Sequence, residues 1–415
     1  MQRGMKVFFS AECNESKMII GGRKASIKMK NILFIKSTPY DEDLQGYNVQ
    51  GVGIAKAFCR LGYNCDYLSY NSHKEEIIDL CSIGDKRARV IHKKRIRILR
   101  TGIALGALNK DFLDQYDTVI CREYNQLMTH LIAKRHPNTS MYSGPYWNMF
   151  MIPFVSLVYD KIFTKRMNNE LKCKFVKSQF AKEFLEKKGY TDLIDVGVGL
   201  DTTRFENVTC SESTTEIVEY MKSNRCILYI GTLNSNKNIP FILKVFERVL
   251  TEEPDVKLVL IGKSKQSYIK KLMGKKDDSY FAELLCRTPD KVKQSILHVN
   301  RVDNPQLQFV YPLAKAFMLP SIFEIFGMVM LEAMYFGAPV ITSNNGGSST
   351  LIKSEEYGQR MSEYDEKLWA DGILKYIKNQ EYSDMVVRNC KENIRQNYTW
   401  DSICNRMIKY IETQE

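Results

Sequence analysis

The sequence predicts an α/β protein built on parallel sheets that are covered on both faces. Three observations carry this. Residues 316–347 read as strand, loop, buried helix and strand. The same order opens the chain: a short apolar strand at 31–35, a glycine-bearing loop, a helix at 54–61, and a strand at 65–69. Strands joined by helical crossovers must run parallel, and helices then cover the sheet faces. Finally, the chain has 415 residues with 44% apolar and 26% charged content, enough for two domains with cores of ordinary size.

Composition narrows the function classes. There is no run of 18 apolar residues, so no spanning helix is expected. Eleven cysteines are scattered without a C-x-x-C pair, which argues against a zinc site or a disulfide framework and fits a reducing cytoplasm. Residues 1–28 lack a signal-peptide core and read as an N-terminal extension. The net charge of +12 favours an anionic partner: nucleic acid, an anionic membrane or a phosphorylated substrate.

In chain order, the first loop carries Pro39, Gly46, Gly51 and Gly53. It is too long, and its glycines wrongly spaced, for a G-x-G-x-x-G dinucleotide fingerprint. Gly62 caps the helix that follows. Residues 86–100, from Lys86 to Arg100, are strongly basic with apolar residues between. They read as a solvated helix or edge strand, or as a patch for an anionic membrane surface or an acceptor phosphate. Nucleic acid is not expected, because the patch lacks stacking aromatics. A strand at 117–121 ends in Arg122 and Glu123, which its carboxyl end would turn toward a cleft, and Tyr146 follows another short strand. Residues 149–163 are apolar and aromatic but interrupted by Pro153 and Asp160. They read as a buried helix pair, with an interfacial amphipathic segment as the alternative. Residues 206–224 are polar and Ser/Thr-rich, like a linker.

The second domain opens with a buried strand at 226–230, the loop from Gly231 through Thr232 to Lys237, and a helix. Residues 295–302 read as a short strand and its exit, with Arg301 in the exit. Glu324 lies in the loop after the strand at 316–319, at the carboxyl end where open α/β sheets bind ligands. The amides near Phe326, Gly327 and Met328 open a helix and would face an anion. Glu332 lies inside that helix, where a buried charge needs a partner: a ligand hydroxyl, a basic side chain or backbone. Gly337 sits where a left-handed cap belongs.

Glu324 and Glu332 with seven residues between them, F-G among these, L-E-A-M, G-x-P-V and a trailing G-G together resemble the signature of retaining glycosyltransferases of family 4, which have the GT-B fold. The resemblance spans roughly residues 30–410. It implies two Rossmann-like domains facing across an interdomain cleft: 29–205 for the acceptor, a linker at 206–224, 225–395 for the nucleotide sugar, and a closing helix in 396–415, with Trp400 at its start, that packs back on the N-terminal domain. It implies that Glu324 touches the donor sugar and Glu332 the ribose. Gly231, Thr232 and Lys237 would lie on the donor diphosphate, Gly46 near its phosphates, and Arg301 near the base. Gly199, Leu200, Asp201 and Phe205 match the family's crossover. Two positions depart from the pattern. Thr232 stands where an arginine is expected, and Gly144 and Pro145 stand where many members carry a histidine that approaches the donor sugar. Arg122, Glu123 and Tyr146 become acceptor-side candidates.

The implied activity is retaining, metal-independent transfer of a hexose-type sugar from a nucleoside diphosphate donor to a glycan or lipid-linked acceptor, in polysaccharide or glycoconjugate biosynthesis. The leaving phosphate would take the acceptor proton. No cofactor and no metal are expected, and a cytoplasmic location, peripheral on the inner membrane face, would follow. A sugar-nucleotide epimerase or hydrolase on the same fold, or a non-catalytic nucleotide-sugar-binding protein, stays open.

Overall fold

The computed structural model describes residues 31–413 apart from 37, 45, 47, 48, 99, 100, 151, 152, 267–275, 277 and 278. The predicted extension, residues 1–28, lies outside the described residues. Two parallel sheets organise the chain. The strands of the first half are β1 (Asn31–Ile35), β2 (Asn64–Tyr70), β3 (Glu76–Ile83), β4 (Lys86–Lys93), the hairpin strands β5 (Ile96–Ile98) and β6 (Thr101–Ile103), then β7 (Thr118–Arg122), β8 (Thr139–Ser143), β9 (Lys174–Val176) and β10 (Leu193–Asp195). Those of the second half are β11 (Cys226–Ile230), β12 (Lys257–Ile261), β13 (Ile296–Val299), β14 (Ala314–Leu319), β15 (Val340–Ser343) and β16 (Gln359–Met361).

The first sheet runs β10-β9-β8-β7-β1-β2-β4-β3, and the second β13-β12-β11-β14-β15-β16. All pairings are parallel except β3 with β4 in the first sheet and the β5–β6 hairpin. β11 is buried at every residue, as a strand covered on both faces must be. In each sheet the direction of strand addition reverses beside the opening strand: between β1 and β7, and between β11 and β14. Loops leaving the carboxyl ends diverge there and leave a crevice. The two crevices share one cavity of about 1170 Å³, lined from both halves. The fold class is therefore as the sequence predicts.

Four local readings change. The helix after β1 is Gln50–Arg60, so Gly51 and Gly53 lie inside it rather than in the loop. Their smallness serves packing. A Cβ on Gly51 would fall 2.2 Å from the Tyr67 ring, and one on Gly53 would fall 2.5 Å from Trp400.

Most of the described part of the basic stretch 86–100 is β4, an inner strand between β2 and β3. Arg87, Lys94 and Arg97 are exposed, and several of the other charges are answered. Arg89 forks onto Asp66 at 2.8 and 2.7 Å, Lys93 pairs with Glu75 and Arg95 with Asp41.

Residues 149–163 do not form a buried helix pair. One helix, Pro153–Glu170, carries its apolar residues outward: Phe154, Leu157, Val158 and Ile162 are exposed, while Ser156, Thr164 and Met167 are buried. Asp160 faces inward and pairs with Lys188.

The Ser/Thr-rich linker contains a helix, Glu212–Ser223. Ser211 caps it by accepting from the Thr214 amide at 3.3 Å, and Ile217 and Met221 bury one face.

The tail returns to the first half. The Trp400–Thr413 helix packs on Gln50–Arg60, its entry fixed by backbone bonds between Leu200 and residues 398 and 400. Arg60 Nε donates to both carboxylate oxygens of Asp401 at 3.0 Å.

Candidate functional site

Lys237 and Glu324 meet in the cavity as an ion pair, each side chain about one-fifth exposed. Their loops leave neighbouring strands, β11 and β14, and Asn236 ties them together. Its carbonyl accepts from the Ile322 amide at 2.8 Å, its Oδ1 accepts from the Phe323 amide at 3.1 Å, and its Nδ2 donates to the Phe323 carbonyl at 3.0 Å. Asn234 caps the short turn by accepting from the Lys237 amide at 3.1 Å. Tyr229 donates to the Thr232 carbonyl at 3.1 Å and holds the loop's start.

The helix Met328–Phe336 points its N-terminus at the same space. Gly327 precedes it at φ 75°, a left-handed conformation that favours glycine, and no side chain caps the helix. The unpaired amides and the helix dipole make this end a ready anion site. Gly231, Thr232, Phe326, Gly327, Met328 and Arg301 all line the cavity. Arg301 is 70% exposed and paired with Asp303 at 3.0 Å.

Three predicted residues lie elsewhere. Glu332 is 3% exposed and does not line this cavity. The partners its charge demands are protein: Tyr311 donates to Oε2 at 2.9 Å and Asn304 to Oε1 at 3.0 Å. Asn304 does line the cavity, so Glu332 meets it through that amide. Gly46 sits in a turn, its amide donating to the Asp43 carbonyl at 2.9 Å, away from the cavity lining. Tyr146 is committed to the opposite half, donating to the Glu324 carbonyl at 3.0 Å.

The first half supplies a second charged group. Arg122 ends β7, Glu123 follows it with φ 67°, and Lys177 follows β9; all three line the cavity. Lys177 is 3% exposed and its Nζ stands 2.9 Å from Glu123 Oε1 and 4.8 Å from the Tyr142 ring. Glu123 Oε2 also accepts from the Gly144 amide at 2.9 Å. Burial pushes the Lys177 ammonium down to about 8, against the pull of Glu123. Burial works to raise the Glu123 carboxyl, but Lys177 and Arg122 outweigh it and hold it below the usual carboxylate range. A non-glycine residue with positive φ, buried among charges at a strand end, is the kind of strain found at functional sites.

Gly144 gains a reason. A Cβ there would lie 2.6 Å from Lys177 Cδ and 3.0 Å from Ile325 Cγ2, so Lys177 fills the space above it. Sequence reasoning missed Lys177, Asn236 and Arg204, which lines the cavity from the crossover. The first carries the signal that singled out Arg122, a charge directly after a short apolar strand. Among the described residues no three His, Cys, Asp or Glu side chains gather as metal ligands would.

Comparisons with known proteins bear on the family and the fold. Residues 214–393 match the family described as glycosyl transferases group 1. An uncharacterized glycosyltransferase of Methanocaldococcus jannaschii is 27% identical over 184 residues, 44% of this chain and 44% of that protein. The chain thus aligns with under half the length of that relative. A lipopolysaccharide 1,2-N-acetylglucosaminetransferase of Salmonella typhimurium is 21% identical over 300 residues, 70% of this chain and 72% of the other. Among solved structures, sucrose-phosphate synthase from Thermosynechococcus elongatus superposes with a TM-score of 0.64 at 16% identity, over 92% of this chain and 98% of that one. Anabaena HepE in complex with UDP and glucose does so with a TM-score of 0.61 at 15% identity, over 92% and 100%. The family match is carried by residues 214–393, under half of the chain, and the likeness to these solved structures shows the GT-B fold.

Proposed function

We propose that this protein transfers a hexose-type sugar, with retention at the anomeric carbon and without a metal, from a nucleoside diphosphate donor to a glycan or lipid-linked acceptor. The observation that carries the reading is the Lys237–Glu324 pair beside an uncapped helix N-terminus in a cavity between two sheets. A diphosphate entering there brings more negative charge than one carboxylate. It competes for Lys237 and settles against the Gly327 and Met328 amides. Glu324 is then released to accept from hydroxyls of the sugar. As the sugar–phosphate bond breaks, charge grows on the leaving diphosphate, and fixed donors aimed at growing charge are usually the largest catalytic contribution. The leaving phosphate, with no protein base required, takes the acceptor proton.

HepE is described with UDP and glucose, which supports testing UDP-sugars first. The experiment is a panel of labelled UDP-, GDP- and ADP-sugars with and without acceptor glycans. Turnover that needs an acceptor supports transfer. Turnover without one points to an epimerase or hydrolase, and binding without turnover to a non-catalytic protein.

Peripheral contact with an anionic bilayer, in a cytoplasmic enzyme of polysaccharide or glycoconjugate biosynthesis, is better supported by the Pro153–Glu170 helix than by residues 86–100. Its exposed apolar residues sit beside exposed Lys161 and Lys165. Leu157→Glu is expected to lower affinity for phosphatidylglycerol vesicles about tenfold while leaving stability within about 0.5 kcal/mol. Equal sedimentation of both proteins would sink this assignment.

A further inference from the structure

The first-half wall of the cleft lines the cavity with two cations, Arg122 and Lys177, and one carboxylate, Glu123. Lys177 is paired with Glu123 at 2.9 Å. Arg122 is not satisfied: its Nε is buried and meets no acceptor among the described residues, and its Nη2 stands 3.9 Å from Glu123 Oε1, beyond hydrogen-bond reach. A guanidinium presents five donors in a planar fork and stays charged, so leaving it mostly buried without an acceptor is costly. The other carboxylate close by, Glu42, is engaged by Lys36 at 3.4 Å, by the Tyr67 hydroxyl and by Ser69 at 3.1 Å. Arg122 and Lys177 both line the cavity.

Their position says which ligand meets them. Lys177 occupies the space above Gly144, and Ile325, the residue after Glu324, also comes close to Gly144. The donor-diphosphate group of Lys237, Gly327 and Met328 hangs from the other sheet. An anion on Arg122 and Lys177 would therefore be held from the first sheet, across the cavity from the diphosphate group, on the wall that this reading gives to the accepting molecule.

We infer that Arg122 and Lys177 form a second oxyanion subsite, which takes a phosphate ester or carboxylate carried by the acceptor. Glu123 acts through Lys177 as a positioning residue, holding the ammonium over Gly144. This rests on reading the cavity as a nucleotide-sugar cleft.

The test uses the full chain saturated with whichever of UDP, GDP or ADP binds. Glucose 6-phosphate, glucuronate and glucose are then titrated in by calorimetry. The expected result is that one charged sugar binds at least tenfold tighter than glucose, and which one identifies the group. Arg122→Gln removes that difference, and Lys177→Met reduces it, while nucleotide affinity stays within twofold. Arg122→Lys, which keeps the charge but not the fork, restores part of it and guards against loss of fold. Charged sugars that bind no better than glucose would overturn the subsite. So would an Arg122→Gln protein that loses nucleotide affinity instead, since the guanidinium would then serve the donor. A wild-type protein that binds none of the three nucleotides would overturn the cleft reading itself, a separate failure.

Discussion

On one wall of the cleft, Gly231, Lys237 and Glu324 hang from neighbouring strands β11 and β14, and Asn236 clasps their loops together. On the other, Arg122 and Glu123 follow β7, while Lys177 follows β9, one strand further along the sheet. The Lys237–Glu324 pair is about one-fifth exposed, whereas the Lys177–Glu123 pair on the other wall is drier, at 3% and 10%. An exposed pair exchanges its partner readily for a ligand. A buried pair is held in place, because breaking it costs about 3–5 kcal/mol. The difference suggests a division of labour: one wall trades partners during the reaction, and the other presents a fixed charge.

The largest effect that would sharpen this contrast is expected at Glu324. Glu324→Ala should lower turnover about 10³-fold and leave the far-ultraviolet circular dichroism unchanged; turnover near wild type would refute its role.

The next concerns the dry wall. Lys177 faces Glu123, Arg122 and the Tyr142 ring, and its pKa is lowered by burial to about 8. Below that pH it is charged. Above it the proton is lost, and acceptor KM should rise, reaching about tenfold one unit higher. Stability should move the opposite way. An ordinary lysine in the unfolded chain keeps its proton to a higher pH, so the folded state gains stability as pH climbs from 8 toward 10.5. Lys177→Arg should flatten the KM profile through pH 9. A wild-type profile already flat there would break the comparison.

The smallest effect falls on the clasp. Asn236→Ala removes two side-chain hydrogen bonds to Phe323, so it should cost about 1–2 kcal/mol of stability and lower kcat several-fold by loosening Lys237 against Glu324. Thermal melting and steady-state rates check both.

The two walls also differ in how far the sequence revealed them. The strand–loop–helix unit around Glu324 is contiguous, so its apolar runs, Pro320 and Gly327 announced both the element and the ligand end. Lys237 could be placed because its loop directly follows the β11 strand. The first half resisted because its site is assembled across distance. Lys177 meets Glu123 from 54 residues away, and no local pattern links them. The apolar stretch at 149–163 misled for a related reason. Apolarity marks a surface that prefers to leave water, but it does not say whether protein or something else covers it, and here the polar Ser156 and Asp160 took the inward side. Glu332 was correctly read as buried and in need of a partner, yet Tyr311, 21 residues back, could not be identified without the fold.

The returning tail has a consequence for biogenesis. Trp400, Ile403, Cys404 and Met407 complete a core with Ile54, Ala57 and Phe58, so the first half lacks a face until residues 400–407 have been synthesised. Vectorial folding, in which an amino-terminal domain finishes before the next is synthesised, is closed to this chain. A chain stopped before residue 400 would therefore hold every residue of the first half and still leave that half's core open.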